Sequence, residues 1–279
     1  MDRETGMYYY GARYYDLRIS IFISVDPLAE ETMEPYLYTG NNPIMFTDPT
    51  GMSKEGGEHD YRLNRDGKLE LIRYTKDKYD AVYNEENNRA IVLSKGVIDF
   101  SREVKNSKGE ATTVFTMTNT DVKSGNGQKI FQFFADNSDV EFGYSEFKNQ
   151  KTNTKFGLLM TSNKFKKIHN VVEEVSSVLD HHKDVNMVYN SHSHPQSYDP
   201  EWYHSGTTPS GFIQSSELNT SLRPGVNKNT GKPIGDRAVY KTLKEKYGNR
   251  IPAFFDLYTP NAKNINIKYN DRTAIRKSN

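Results

Sequence analysis

From residue 129 to the C-terminus, strand-like runs alternate with two runs of helical period, and this order limits the fold more than any single motif does. IFQFFADNSDVEFGYSEF (130–147) and FGLLMTS (156–162) carry the aromatic and aliphatic residues of buried strands. Phe165, Ile168, Val172, Val175 and Leu179 then recur at spacings of three and four, which predicts an amphipathic helix. The apolar run VNMVYNSHSH (185–194) reads as the next strand, followed by a long loop rich in Gly, Ser and Pro. A second helix over about Asp236 to Tyr247 leads into a last strand, PAFFDLYTP (252–260). The order β-β-α-β-loop-α-β predicts the α/β (α+β) class, a mixed sheet flanked by helices.

The strand at 185–194 ends in His192-Ser193-His194-Pro195. Side chains two apart on a strand share a face, so both imidazoles point one way before Pro195 ends the pairing. Convergent imidazoles suit a metal ion; their bland alternative is two surface histidines at a strand end. The chain has no cysteine, so any metal must be held by histidines and carboxylates, and thiol chemistry is excluded. Its 37 basic and 36 acidic residues leave no polycation for a phosphate backbone, which argues against a nucleic-acid partner. No apolar run approaches the roughly 20 residues of a membrane-spanning helix.

Residues 1–52 have a different texture. Tyr8, Tyr9, Tyr10, Tyr14, Tyr15, Tyr36 and Tyr38 crowd a segment punctuated by Asp-Pro and Gly-Asn-Asn-Pro, which predicts short aromatic strands and tight turns. TGMYYYGARYYD, FISVDPLAE and YLYTGNNPIMFTDPTGM closely resemble the C-terminal end of the RHS repeat-associated core. The resemblance implies a β-cage in a larger parent polypeptide and a toxin placed after the Asp48-Pro49-Thr50-Gly51 motif. It also implies release at that motif, with Asp26 and Asp48 as candidates for the cut. Residues 53–128 are polar and turn-rich, with Asn64-Arg65-Asp66-Gly67 marking a hairpin, and read as a β-rich linker without a catalytic constellation.

Residues 129–279 carry a second resemblance. Glu141 in VEFGYSEF, then a helix, then HSHP, then Thr208-Pro209-Ser210-Gly211, then Gly235-Asp236 opening a helix, together resemble the JAB/JAMM metallopeptidase pattern (cytidine-deaminase-like fold) found in JAB-like toxins. That pattern implies Zn2+ held by His192, His194 and an acidic residue, with Glu141 as general base and Ser210 beside the oxyanion. Three protein ligands leave zinc an open position, which makes the set chemically coherent. The family's Ser-x-x-Asp spacing is absent, since Ser210 is followed by Gly211, Phe212 and Ile213. The acidic ligand is therefore Asp236, favoured as an N-cap residue, or Glu217.

Each remaining candidate has a plainer reading. Glu146 falls on the strand face opposite Glu141, and Ser210 doubles as a turn residue. His204 reads as a loop surface residue, and His169, His181 and His182 fit an exposed helix and its end. His59 lies in the linker. Trp202, the sole tryptophan, is either a core anchor or a substrate contact. The expected function is a zinc-dependent peptidase or isopeptidase toxin acting on a protein, ubiquitin-like or peptide substrate. Its expected partners are a cognate immunity protein and the RHS cage. The opening Met-Asp-Arg-Glu-Thr-Gly-Met has no signal pattern, so secretion or delivery is expected to depend on a larger toxin. A nuclease warhead and an inactive JAB-like binding module are the alternatives.

Overall fold

The computed structural model describes residues 5–25, 36, 38, 46–47, 55–56, 58–75, 79–164, 168–195, 212–213, 223–224, 235–260 and 266–276. The chain divides into two compact units, residues 1–59 with 74–77, and residues 60–73 with 78–279. In the first, β1 (Tyr8–Tyr9), β2 (Tyr14–Asp16) and β3 (Ile21–Phe22) form an antiparallel sheet. Phe22 is fully buried there among Tyr10, Tyr15 and Tyr38, and the Arg13 guanidinium lies 3.8 Å from its ring centroid. The Tyr density thus supplies a small aromatic core for strands of two or three residues. In the same unit, β4 (Phe46–Thr47) pairs antiparallel with β5 (Glu55–Gly56).

The second unit holds an eight-stranded sheet and most of a four-stranded one. The smaller has the order β7 (Leu69–Thr75), β6 (Glu58–Leu63), β8 (Tyr79–Tyr83), β9 (Ala90–Ser94). Between β6 and β7 the Gly67 N–H donates to the Asn64 carbonyl at 2.9 Å, closing the turn marked by Asn64-Arg65-Asp66-Gly67. Gly67 has φ +80, and a Cβ there would meet Val140 at 2.5 Å, so both conformation and space call for glycine.

The larger sheet is built from β10 (Arg102–Lys105), β11 (Ala111–Met117), β12 (Phe142–Asn149), β13 (Lys155–Thr161), β14 (Val185–Ser193), β17 (Phe255–Tyr258), β18 (Asn266–Tyr269) and β19 (Ala274–Arg276). Its order is β10-β11-β13-β12-β14-β17-β18-β19, so two strands from the segment before residue 129 form one edge. Among the described residues its pairings are antiparallel except β14 with β17, which makes the sheet mixed. Two further strands, β15 (Phe212–Ile213) and β16 (Arg223–Pro224), pair with each other.

Helices cover both faces. A short helix α1 (Asn119–Val122) precedes α2 (Asn126–Asp136), whose Ile130, Phe131, Phe134 and Ala135 are buried. They pack with Phe142, Tyr144, Leu159, Leu63 and Val82 in one core. On the other face, α3 (Val171–His181) and α4 (Gly235–Tyr247) contribute Val175, Leu179, Tyr240 and Leu243 to a core with Phe147, Leu158, Met160 and Leu257. Among the described residues no helix is long and apolar enough to cross a membrane.

The expected α/β architecture and the order β12, β13, α3, β14, α4, β17 are present, with three local corrections. The run 130–136, expected as strand, is the body of α2, because its buried residues fall at helical offsets that the aromatic density obscures. The helix expected from Phe165 starts at Val171, after Asn170 in the left-handed region at φ +61. Residues 165–167 lie outside the described residues. The hairpin of β18 and β19 was not expected, because its strands are only four and three residues long.

Candidate metal centre

The site sits at the carboxyl end of β14, where that strand has an antiparallel neighbour on one side and a parallel one on the other. Crevices at the carboxyl ends of parallel strands are where open sheets place ligands. A bulge aims the histidines. Glu146 pairs with Tyr189 and Phe147 with Met187, so Val188 has no counterpart and the alternation slips by one residue. Val185 and Met187 face the core of α3 and α4, and after the slip Asn190, His192 and His194 point to that same side. Without Val188 the histidines would point to the α2 side.

Backbone contacts fix the strand end. The His194 N–H donates to the Tyr258 carbonyl at 3.0 Å, and the Phe142 N–H donates to Ser193 Oγ at 3.0 Å. Glu141 immediately precedes β12 rather than lying within a strand. Its N–H donates to the Lys164 carbonyl at 3.0 Å, and its own carbonyl accepts from Thr161 Oγ1 at 2.9 Å. Asp236 lies in the first turn of α4, where the helix dipole favours a carboxylate. The neighbouring Arg237 is buried and donates from Nε (3.0 Å) and Nη2 (2.6 Å) to the Asp271 carbonyl between β18 and β19, tying that turn down.

These elements bring together residues distant in sequence. His192 Nε2 lies 3.2 Å from His194 Nε2 and 3.2 Å from Asp236 Oδ2, and His194 Nε2 lies 3.7 Å from Asp236 Oδ2. Glu141 Oε1 is 3.9 Å from His194 Nε2. Donors about 2.0–2.1 Å from one tetrahedral ion stand about 3.3–3.4 Å apart, so the three atoms have the spacing of one face of such a shell. Two imidazole nitrogens facing one carboxylate oxygen are also a donor set suited to zinc. The residues present therefore fit the metal.

Electrostatics support the grouping. Burial pushes the Glu141 carboxyl up to about 8; His192 pulls it down and the like charge of Asp236 adds to the rise. For His192, burial works downward, but the Asp236 carboxylate and then Glu141 outweigh it and hold its pKa above the ordinary value. The Tyr269 hydroxyl lies 3.4 Å from His192 Nδ1, the nitrogen that does not face Asp236 Oδ2, and burial keeps this phenol far above its usual pKa.

Other candidates separate from this centre. Glu146 is buried on the opposite face, where Oε2 accepts from the Tyr144 hydroxyl at 2.8 Å and Oε1 pairs with Lys155 Nζ at 2.6 Å. His169, expected on an exposed helix, is buried ahead of α3; its N–H donates to Ser162 Oγ and its Nδ1 lies 3.1 Å from Glu110. The cause is the later start of α3, which turns this residue into a linker packed on β11. His181 ends the helix exposed, with Nδ1 2.7 Å from the Ser177 carbonyl. Ser210, Glu217, Trp202, His204, Asp26 and Asp48 lie outside the described residues. Sequence reading missed Tyr269 and Arg237, since nothing local in either segment signals a site.

Residues 119–222 match the family model of JAB-like toxin 1. This JAB-like segment contains Glu141, His192 and His194 and stops before Asp236, Arg237 and Tyr269. Fifty residues, 18% of the chain, are 48% identical to salivary gland surface protein 1 of Aedes aegypti. A 55-residue match, also 18% of the chain, is 44% identical to tRNA nuclease WapA of Bacillus subtilis (strain 168). The tRNA(Glu)-specific nuclease WapA of Bacillus subtilis subsp. natto (strain BEST195) matches to the same extent. The matched stretches span about 2% of each of these curated relatives. No solved structure matches the chain.

Proposed function

We propose that the second unit is a zinc-dependent peptidase or isopeptidase, with His192, His194 and Asp236 as metal ligands and Glu141 as general base. The observation that carries this reading is the convergence of three metal-type donors beside one buried carboxylate. Bound zinc supplies Lewis acidity and makes water acidic enough to attack an amide near neutral pH. Glu141, held by both of its backbone groups, takes a proton from the attacking water and returns it to the departing amine. Its raised affinity for a proton in the metal-free site suits that exchange, and a nearby cation draws it back toward the charged form. The JAB-like pattern assigns Ser210 to the oxyanion.

The biological setting belongs to the same proposal. Residues 1–52 are the end of an RHS core, and the second unit, whose main sheet takes in β10 and β11 from residues 53–128, is the warhead of a larger delivered toxin. Its substrate is a protein, ubiquitin-like tail or peptide, and an immunity protein restrains it. A nuclease reading draws on the WapA names. The constellation from Glu141 to Asp236 extends over more chain than a 55-residue match can contain, so those names do not speak for this site.

The test is elemental analysis of the purified chain together with parallel assays on a peptide library and on tRNA. About one zinc per chain and peptide cleavage lost in His192→Ala/His194→Ala support the reading. Cleavage of tRNA that survives the double substitution, or equal zinc in both proteins, would overturn it.

A further inference from the structure

We propose that Tyr269 is a positioning residue for the metal centre, accepting the Nδ1–H of His192 and so holding its Nε2 toward His194 and Asp236. The inference rests on the zinc reading above and extends the centre beyond the JAB-like segment into the β18–β19 hairpin.

The geometry carries it. Tyr269 Oη lies 3.4 Å from His192 Nδ1, while Asp236 Oδ2 is 3.2 Å from Nε2, the other nitrogen of the ring. The two rings meet edge to face, with centroids 5.8 Å apart and an 88° interplanar angle, which restrains rotation of the imidazole. Register explains the contact. His192 pairs with Leu257 on β17, Leu257 with Ile267 on β18, and Tyr269 stands two residues further along the same face as Ile267. Tyr269 is itself held against Phe255, its cross-strand partner, with ring centroids 6.1 Å apart at 85°. A neutral imidazole whose Nε2 lone pair meets a metal must carry its proton on Nδ1, and that proton needs an acceptor in a buried site. The Tyr269 hydroxyl oxygen is placed to accept it.

The test uses the full chain. Zinc affinity is read by competition with a chelating dye, and exchange of the His192 Nδ1 proton in the zinc-loaded protein is read by NMR. Tyr269→Phe removes only the hydroxyl and is expected to weaken zinc binding about 10- to 100-fold. It is also expected to speed exchange of the His192 Nδ1 proton while leaving that of His194 unchanged. Equal zinc affinity and unchanged exchange in the variant would overturn the role of Tyr269 while leaving the zinc site intact. Failure of the wild type to bind zinc would overturn the metal reading and this inference with it. Should the variant not fold, the wild-type spectrum decides: a His192 Nδ1 proton exchanging as fast as that of His194 overturns the proposal, and a protected one supports it.

Discussion

His192 and His194 bring their Nε2 atoms within 3.2 Å of each other, with Asp236 Oδ2 3.2 Å from the first and 3.7 Å from the second. Two imidazole nitrogens facing each other at that distance need a proton or a cation between them, since two lone pairs repel. A cation also answers the carboxylate. Asp236→Ala is therefore expected to abolish zinc binding in equilibrium dialysis, whereas Glu217→Ala retains it. The reverse pattern would move the acidic ligand to Glu217.

Glu141 stands 3.9 Å from His194 Nε2, next to the three donors but outside their cluster. Glu141→Gln keeps the shape and removes the base. The expected outcome is normal zinc content with peptide cleavage slowed on the order of 10²–10⁴-fold. Loss of zinc from this variant would make Glu141 a ligand instead.

The same carboxyl gives the metal-free protein a pH signature. Its folded pKa of about 8 lies above the 4.5 of an unperturbed glutamate, so between these values the folded state binds the extra proton. Stability of the metal-free fold should therefore fall as pH rises through this window, with a slope approaching about 1.4 kcal/mol per unit. His192, also raised, contributes in the same direction above its ordinary value. Urea unfolding in the presence of a chelator measures the slope. Glu141→Gln should flatten it, and an unchanged slope would show that Glu141 is not the group responsible.

Tyr144 sits between two glycines of the α2-side core. A Cβ at Gly127 would lie 2.1 Å from its hydroxyl, and one at Gly157 2.7 Å from its ring. Gly127→Ala should cost about 1–3 kcal/mol by overpacking. Tyr144→Phe removes the clashing oxygen, so the double variant should be more stable than the sum of its parts predicts. Strict additivity in thermal unfolding would argue against this packing.

Much of the architecture was legible in the sequence. Strand-like runs, the periods of Val172, Val175 and Leu179, and the segment after Gly235-Asp236 depend on local spacing, and the order of β12, β13, α3, β14, α4 and β17 follows from them. Alternation also set His192 and His194 on one face, because side chains two apart on a strand share a side. Which face that is came only from the tertiary structure: the slip at Val188 is a property of the pairing between β12 and β14 and has no local signature. The helical state of Ile130 to Asp136 was likewise decided by burial against the sheet, not by aromatic content. The approach of Asp236 and Tyr269 to His192 depends on neighbouring strands across β17 and on the anchoring of α4 through Arg237. Contacts between residues tens of positions apart arise from sheet order and register, which a linear pattern of side chains does not encode.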